Sequence, residues 1–125
     1  MKIWPYLTLA LMLFTPLAGA EWTYVDGGEG YDRYIERETI LRDGNLVRVW
    51  EVDDTDRPDQ FGVQSLRSRT EYDCEARKYR IVYLSAHSDH MTNGSVIYSG
   101  QIDGEWKPVQ EDTLGELSMD MACEA

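Results

Sequence analysis

The residues in this chain whose types and spacing suggest metal chemistry are His87-Ser88-Asp89-His90. Two imidazoles three positions apart can hold Zn²⁺ if a third protein ligand arrives from elsewhere. The segment lies just before a hairpin turn, where polar side chains are ordinary. No metal is therefore expected, and His87 and His90 are the residues to watch if one binds. A second candidate is the acidic run Asp53-Asp54-Thr55-Asp56-Arg57-Pro58-Asp59. It lacks the glycine and distal glutamate of an EF-type calcium loop, and Pro58 stiffens it. It reads as a solvated hairpin loop with at most weak attraction for calcium.

Basic residues suggest a different chemistry. Arg67, Arg69, Arg77, Lys78 and Arg80 fall within fourteen positions. On an extended strand Arg67 and Arg69 point the same way, and Arg48 and Arg80 can reach them from neighbouring strands. Arg48, Arg67, Arg69 and Arg80 then form a local cationic patch able to orient an anionic partner. The competing expectation is cross-strand pairing with Glu71, Asp73 and Glu51, which serves solubility and contributes little per pair. Trp22, Trp50, Trp106 and the tyrosines could stack a ligand, although alternating strand positions more often send such rings to the core or its rim. Asn93-Gly94-Ser95 matches a glycosylation acceptor formally but reads as a turn.

The charge balance limits what such a patch can serve. The 125 residues hold 12 Lys plus Arg against 23 Asp plus Glu, a formal charge of −11. Nucleic acid is an unfavourable partner for so acidic a chain, because phosphates need cationic neutralisation. An anionic membrane surface is excluded for the same reason. No nucleophile–base grouping and no cofactor-sized motif occurs in the sequence, so neither an enzyme nor a bound cofactor is expected.

The N-terminus reads as an address. Lys2 supplies a positive charge, an apolar run follows from residue 3 to residue 14, and Ala18-Gly19-Ala20 offers an A-x-A cleavage site. The run is too short to span ~30 Å of hydrocarbon comfortably. Residues 1–20 are thus expected to be a signal peptide and residues 21–125 the mature domain, without stable membrane insertion after cleavage. The mature part holds 11 basic and 23 acidic residues, a charge of −12. Cys74 and Cys123 both lie in it, 49 positions apart. In an oxidising compartment two cysteines most simply pair. A metal site would want more clustered ligands and a reactive thiol a nearby base.

The elements that must carry these residues are short. Turn signals stand at Asp26-Gly27-Gly28, Asp43-Gly44-Asn45, residues 53–58, Asn93-Gly94 and Asp103-Gly104. Between them, β-branched and aromatic segments predict strands at 21–25, 31–35, 46–52, 66–74, 79–86 and 95–99, with a short helical turn at 36–40. The fourth alternates, with Leu66, Ser68, Thr70, Tyr72 and Cys74 inward and Arg67, Arg69, Glu71 and Asp73 outward. Thr113-x-x-Glu116 is a capping box that opens a helix ending near Cys123. Leu114, Leu117 and Met121, with Ser118 between them, form its expected apolar stripe. The prediction is an α+β domain: an antiparallel sheet of about six strands in a meander, a C-terminal helix packed on one face, and one disulfide.

These landmarks occur in an order that resembles the surface-adhesin protein E-like family of bacterial exported proteins. They include Trp22, the strand at 31–35 before Thr39-Ile40, and Asp43-Gly44 leading into Val47-Arg48-Val49-Trp50. Ser65 to Arg69 precedes Glu71-Tyr72-Asp73-Cys74 and Arg77 to Arg80, and Trp106 and Pro108 precede the terminal helix. The resemblance covers residues 21–125 and implies the same sheet, helix and disulfide. It also implies an exported, non-enzymatic envelope protein of a Gram-negative bacterium, periplasmic or at the cell surface. With the export signal and the lack of a nucleophile–base grouping, the expected role is a small binding module for a protein or an envelope polymer. The alternative is an acidic periplasmic inhibitor of a cationic hydrolase such as lysozyme, drawn by the −12 charge. A third reading is a metal-binding stress protein using His87 and His90.

Overall fold

The computed structural model describes residues 21–125; the expected signal peptide at 1–20 lies outside the described residues. Eight strands build a single antiparallel sheet: β1 (Thr23–Gly28), β2 (Tyr31–Ile35), β3 (Leu41–Asp43), β4 (Leu46–Thr55), β5 (Ser65–Asp73), β6 (Lys78–His87), β7 (Val96–Gln101) and β8 (Lys107–Pro108). One helix, α1 (Leu114–Cys123), follows. The sheet path β1-β2-β4-β5-β6-β7 is the expected six-strand meander.

The two extra strands complete the long ones. β2 pairs with the second half of β4, from Ile35 opposite Glu51 to Tyr31 opposite Thr55, whereas β3 pairs with the first half, Leu41 opposite Arg48. A 3₁₀ turn, Arg37–Thr39, separates the two partners. β6 repeats the arrangement, with β7 along its second half and β8 along its first. Gly104 lies between those two partners, where an added Cβ would stand 2.2 Å from the Ile81 carbonyl oxygen. The chain there presses backbone against backbone, which only a residue without a side chain allows.

Several strand boundaries move from the expected ones. Asp26-Gly27-Gly28 is not a turn; it is the end of β1, beyond a register shift between Tyr24 and Asp26. A Cβ on Gly28 would stand 2.6 Å from the Tyr31 ring, so the glycine makes room for a cross-strand aromatic. Gly30, at φ 80°, makes the turn instead. Asp53 and Asp54 likewise belong to β4 and not to a loop: they stand opposite Arg33 and Asp32 on β2 and opposite Leu66 and Ser65 on β5. Asp59 remains in the loop and accepts from the backbone N–H groups of Phe61 and Val63.

The core lies between sheet and helix: Ile35, Val47, Val49, Tyr72, Met119 and Ala122. Thr113 caps α1, accepting from the Glu116 N–H. The buried helix residues are Ser118, Met119 and Ala122, while Leu117 is 44% exposed. Of the stripe expected at Leu114, Leu117, Ser118 and Met121, Ser118 is buried, Met121 packs against the core and Leu114 lines the covered side, whereas Leu117 turns outward. Cys74, just after β5, is disulfide-bonded to Cys123 at the helix end. Closing that loop stabilises the fold by about 4 kcal/mol on chain-entropy grounds. Arg42 donates to the Cys123 carbonyl, and Arg77 pairs with Glu116 at 2.9 Å, so the helix is held at both ends.

Candidate functional site

The helix covers one face of the sheet, and the cationic residues gather on the other, most of them half-buried over Val52 and Glu71, which are buried there. Register places Arg48 opposite Glu71, Trp50 opposite Arg69 and Val52 opposite Arg67 on β4 and β5. β6 adds Arg80 opposite Glu71 and Tyr83 opposite Arg69. The structure thus brings Arg48, Arg67, Arg69 and Arg80 onto one face.

These arginines fall into two pairs. Arg48 and Arg80 both bond Oε1 of buried Glu71, at 3.2 and 3.3 Å. Arg67 and Arg69 form no ion pair among the described residues. Their guanidinium carbons lie 3.9 and 4.8 Å from the Trp50 ring centroid. The ring quadrupole attracts both guanidinium groups. Tyr83 meets Trp50 edge to face at 5.6 Å, fixing the indole, and Arg80 lies 4.6 Å from the Trp106 centroid. Burial first, then the charges of Arg48 and Arg67, push the Arg69 guanidinium below its ordinary value. An anion arriving between them would relieve that repulsion.

Two of the expected carboxylate partners are elsewhere. Asp73 accepts from the Glu75 and Ala76 N–H groups in the following turn. Glu51 faces the helix, not the arginine face, and is 4% exposed. It alternates with Trp50, so the strand period sends the two to opposite sides.

The histidines do not form a joint site. Nε2 of His87 lies 2.8 Å from the Ser85 hydroxyl. Burial, and then the Arg67 charge, hold its imidazole below the ordinary value, favouring the neutral ring. His90 instead faces the Asp54 carboxylate at 3.1 Å, and Asp89 accepts from the His90 N–H. Among the described residues no group of three or more His, Cys, Asp or Glu side chains could hold a metal ion. Gly94, at φ 77°, supports the turn reading of Asn93-Gly94.

A polar cluster that the sequence reading missed lies under the helix. Arg33 donates from Nε and Nη2 to the two Asp53 carboxylate oxygens at 2.8 and 3.0 Å. Its Nη1 reaches the Ser118 hydroxyl on α1 at 3.4 Å. Tyr72 donates to Oε1 of Glu51, while Oε2 stands 3.9 Å from Arg33 Nε. Burial opposes the Arg33 charge, but Asp53 and Glu51 hold its value above the ordinary one. Burial raises the Glu51 value, Arg33 and the Tyr72 bond offset part of that, and Asp53 adds to it. The signal for this cluster was present: Glu51 and Asp53 continue the inward register of Val47 and Val49, where a charge needs a partner.

A meander sheet with a disulfide-clamped terminal helix, carrying its cations on the face away from that helix, defines a small α+β domain. The family model for surface-adhesin protein E matches residues 22–124, and the chain belongs to that family. Its fold is similar to that of Haemophilus influenzae protein E in crystal form II, with a TM-score of 0.61 and 16% identity over 80% of this chain and 91% of that one. Protein E from non-typeable Haemophilus influenzae aligns with a TM-score of 0.56 and 14% identity over 87% of this chain and 80% of that one. At such identities the likeness is one of fold. No curated protein matches the chain by sequence.

Proposed function

We propose that this chain is an exported, non-enzymatic binding module whose arginine face engages anionic groups of a protein or envelope polymer. The observation that carries the reading is the pair Arg67 and Arg69, held on Trp50 without a carboxylate partner among the described residues. Stacked and pre-placed guanidinium groups lose little freedom on meeting a carboxylate or sulfate, and planar forks suit both. Membership of a surface-adhesin family supports a place outside the cytosol, at the surface or in the periplasm. The disulfide supports the same compartment.

A second reading, an acidic inhibitor of a cationic hydrolase such as lysozyme, is favoured by the charge of −12 beyond residue 20. One panel separates the two. The chain is titrated with a sulfated polysaccharide, with poly-glutamate and with hen lysozyme, the last also assayed for activity. Saturable binding to a polyanion supports the arginine-face reading. Binding confined to lysozyme, with inhibition at low salt, replaces it.

A further inference from the structure

The cavity beneath α1 lies on the opposite side of the sheet from the arginine face and stands independently of it. Its volume is about 450 Å³. That is in the range of small-molecule sites, which are mostly apolar with a few converging polar groups. The walls are Leu66, Ile81 and Leu84 from the sheet and Val109 and Leu114 from the segment entering the helix. Arg33, Glu51, Asp53 and Tyr72 also line it, with Ser68 and Thr70.

Two carboxyl groups share one guanidinium there. Asp53 takes Arg33 through two short bonds, so Arg33 has little left for an anion. Oε1 of Glu51 accepts from Tyr72, while no hydrogen bond reaches Oε2 among the described residues. A buried carboxyl with one oxygen that accepts no hydrogen bond and meets Arg33 only at 3.9 Å, on the wall of a cavity lined by both polar and apolar groups, suits a donor that carries positive charge.

We propose that this cavity binds a small amphipathic amine, its ammonium group donating to Oε2 of Glu51 and its apolar body lying among Leu66, Ile81 and Leu84. The ligand supplies the charge that would balance two carboxylates against one guanidinium. Burial first raises the affinity of Glu51 for its proton, and a cation beside Oε2 would offset that cost.

The test uses the full exported chain and three probes of matched shape: 2-phenylethylamine, 2-phenylethanol and 3-phenylpropionate. Calorimetry should show the amine binding about tenfold or more tighter than the alcohol, with no binding of the carboxylate. Amide resonances of β6 should shift with the amine. Glu51→Gln should weaken the amine about tenfold or more and bring it level with the alcohol. Leu84→Trp, which fills the cavity and leaves Glu51 in place, should abolish binding and decides the matter if Glu51→Gln does not fold. Equal binding of amine and alcohol, preferred binding of the carboxylate, absence of amine binding, or amine binding unchanged in Leu84→Trp would each overturn the proposal. Loss of polyanion binding by the arginine face would leave these outcomes untouched.

Discussion

Tyr72 donates its phenolic hydrogen to Oε1 of Glu51 although the two are not cross-strand neighbours. Tyr72 stands opposite Val47, and Glu51 opposite Ser68. The tyrosine side chain therefore runs along the sheet past the level of Val49 before it reaches the carboxyl. Core packing and the buried polar cluster share one side chain, so a change at either end is felt by the other. Tyr72→Phe keeps the ring and removes the donor. It should cost about 1–3 kcal/mol in urea-unfolding free energy, since a buried carboxyl loses its hydrogen bond.

Glu51 gives the fold a pH dependence of defined sign. Its folded value lies above the unfolded one, chiefly through burial. The groups facing it are Arg33 on β2, Asp53 on its own strand and Tyr72 on β5, with the Ser118 hydroxyl on the helix side. The folded state therefore holds the Glu51 proton more tightly than the unfolded chain does. The resulting stability is present below the ordinary glutamate value and is lost as pH rises through the raised one. Unfolding free energies of the wild type and Glu51→Gln, measured from pH 4 to 7, should differ by an amount that falls for the wild type as pH rises. A difference independent of pH would exclude the linkage.

The helix face separates two otherwise similar substitutions. Met119 is 1% exposed and belongs to the core, so Met119→Ala should cost about 2–5 kcal/mol. Leu117 is 44% exposed, and Leu117→Ala should stay within about 0.5 kcal/mol. Thermal or chemical denaturation reads both; equal costs would restore the stripe expected from sequence.

One covalent bond and one close backbone approach each hold the fold. Replacing Cys74 and Cys123 by serine should lower stability by about 2–5 kcal/mol, measured against the oxidised protein. Gly104→Ala should cost about 1–3 kcal/mol, because its Cβ would enter the Ile81 backbone and force the β7–β8 connection outward.

Much of this architecture was legible in the sequence. β2 occupies the expected residues, and the inward set on β5 lines the covered side as its alternation requires. Thr113 caps the helix as the spacing indicated, and the two cysteines pair. What escaped has physical reasons. The glycines at 27 and 28 are there for a neighbouring side chain, and a turn signal does not distinguish that from a bend. Asp53 and Asp54 lie in β4, and the partners that bind their carboxylates, Arg33 and the Met91 N–H, are 20 and 37 residues away. β3 and β8 are three and two residues long, too short for any periodicity. The arginine face was anticipated as residues on a strand. That Trp50 would hold two of them, while Glu51 turned away to Arg33, depended on which side of the sheet the helix covers.

The contact surface proposed for an anionic partner is the pair Arg67 and Arg69, stacked on Trp50. Its most direct test is the salt concentration needed to elute the chain from an immobilised sulfated polysaccharide. The wild type should be retained, Arg67→Gln/Arg69→Gln should pass without retention, and Arg57→Gln/Lys107→Gln, which removes as much charge away from Trp50, should elute with the wild type. Equal retention of all three proteins, or loss of retention in both double variants alike, would contradict it.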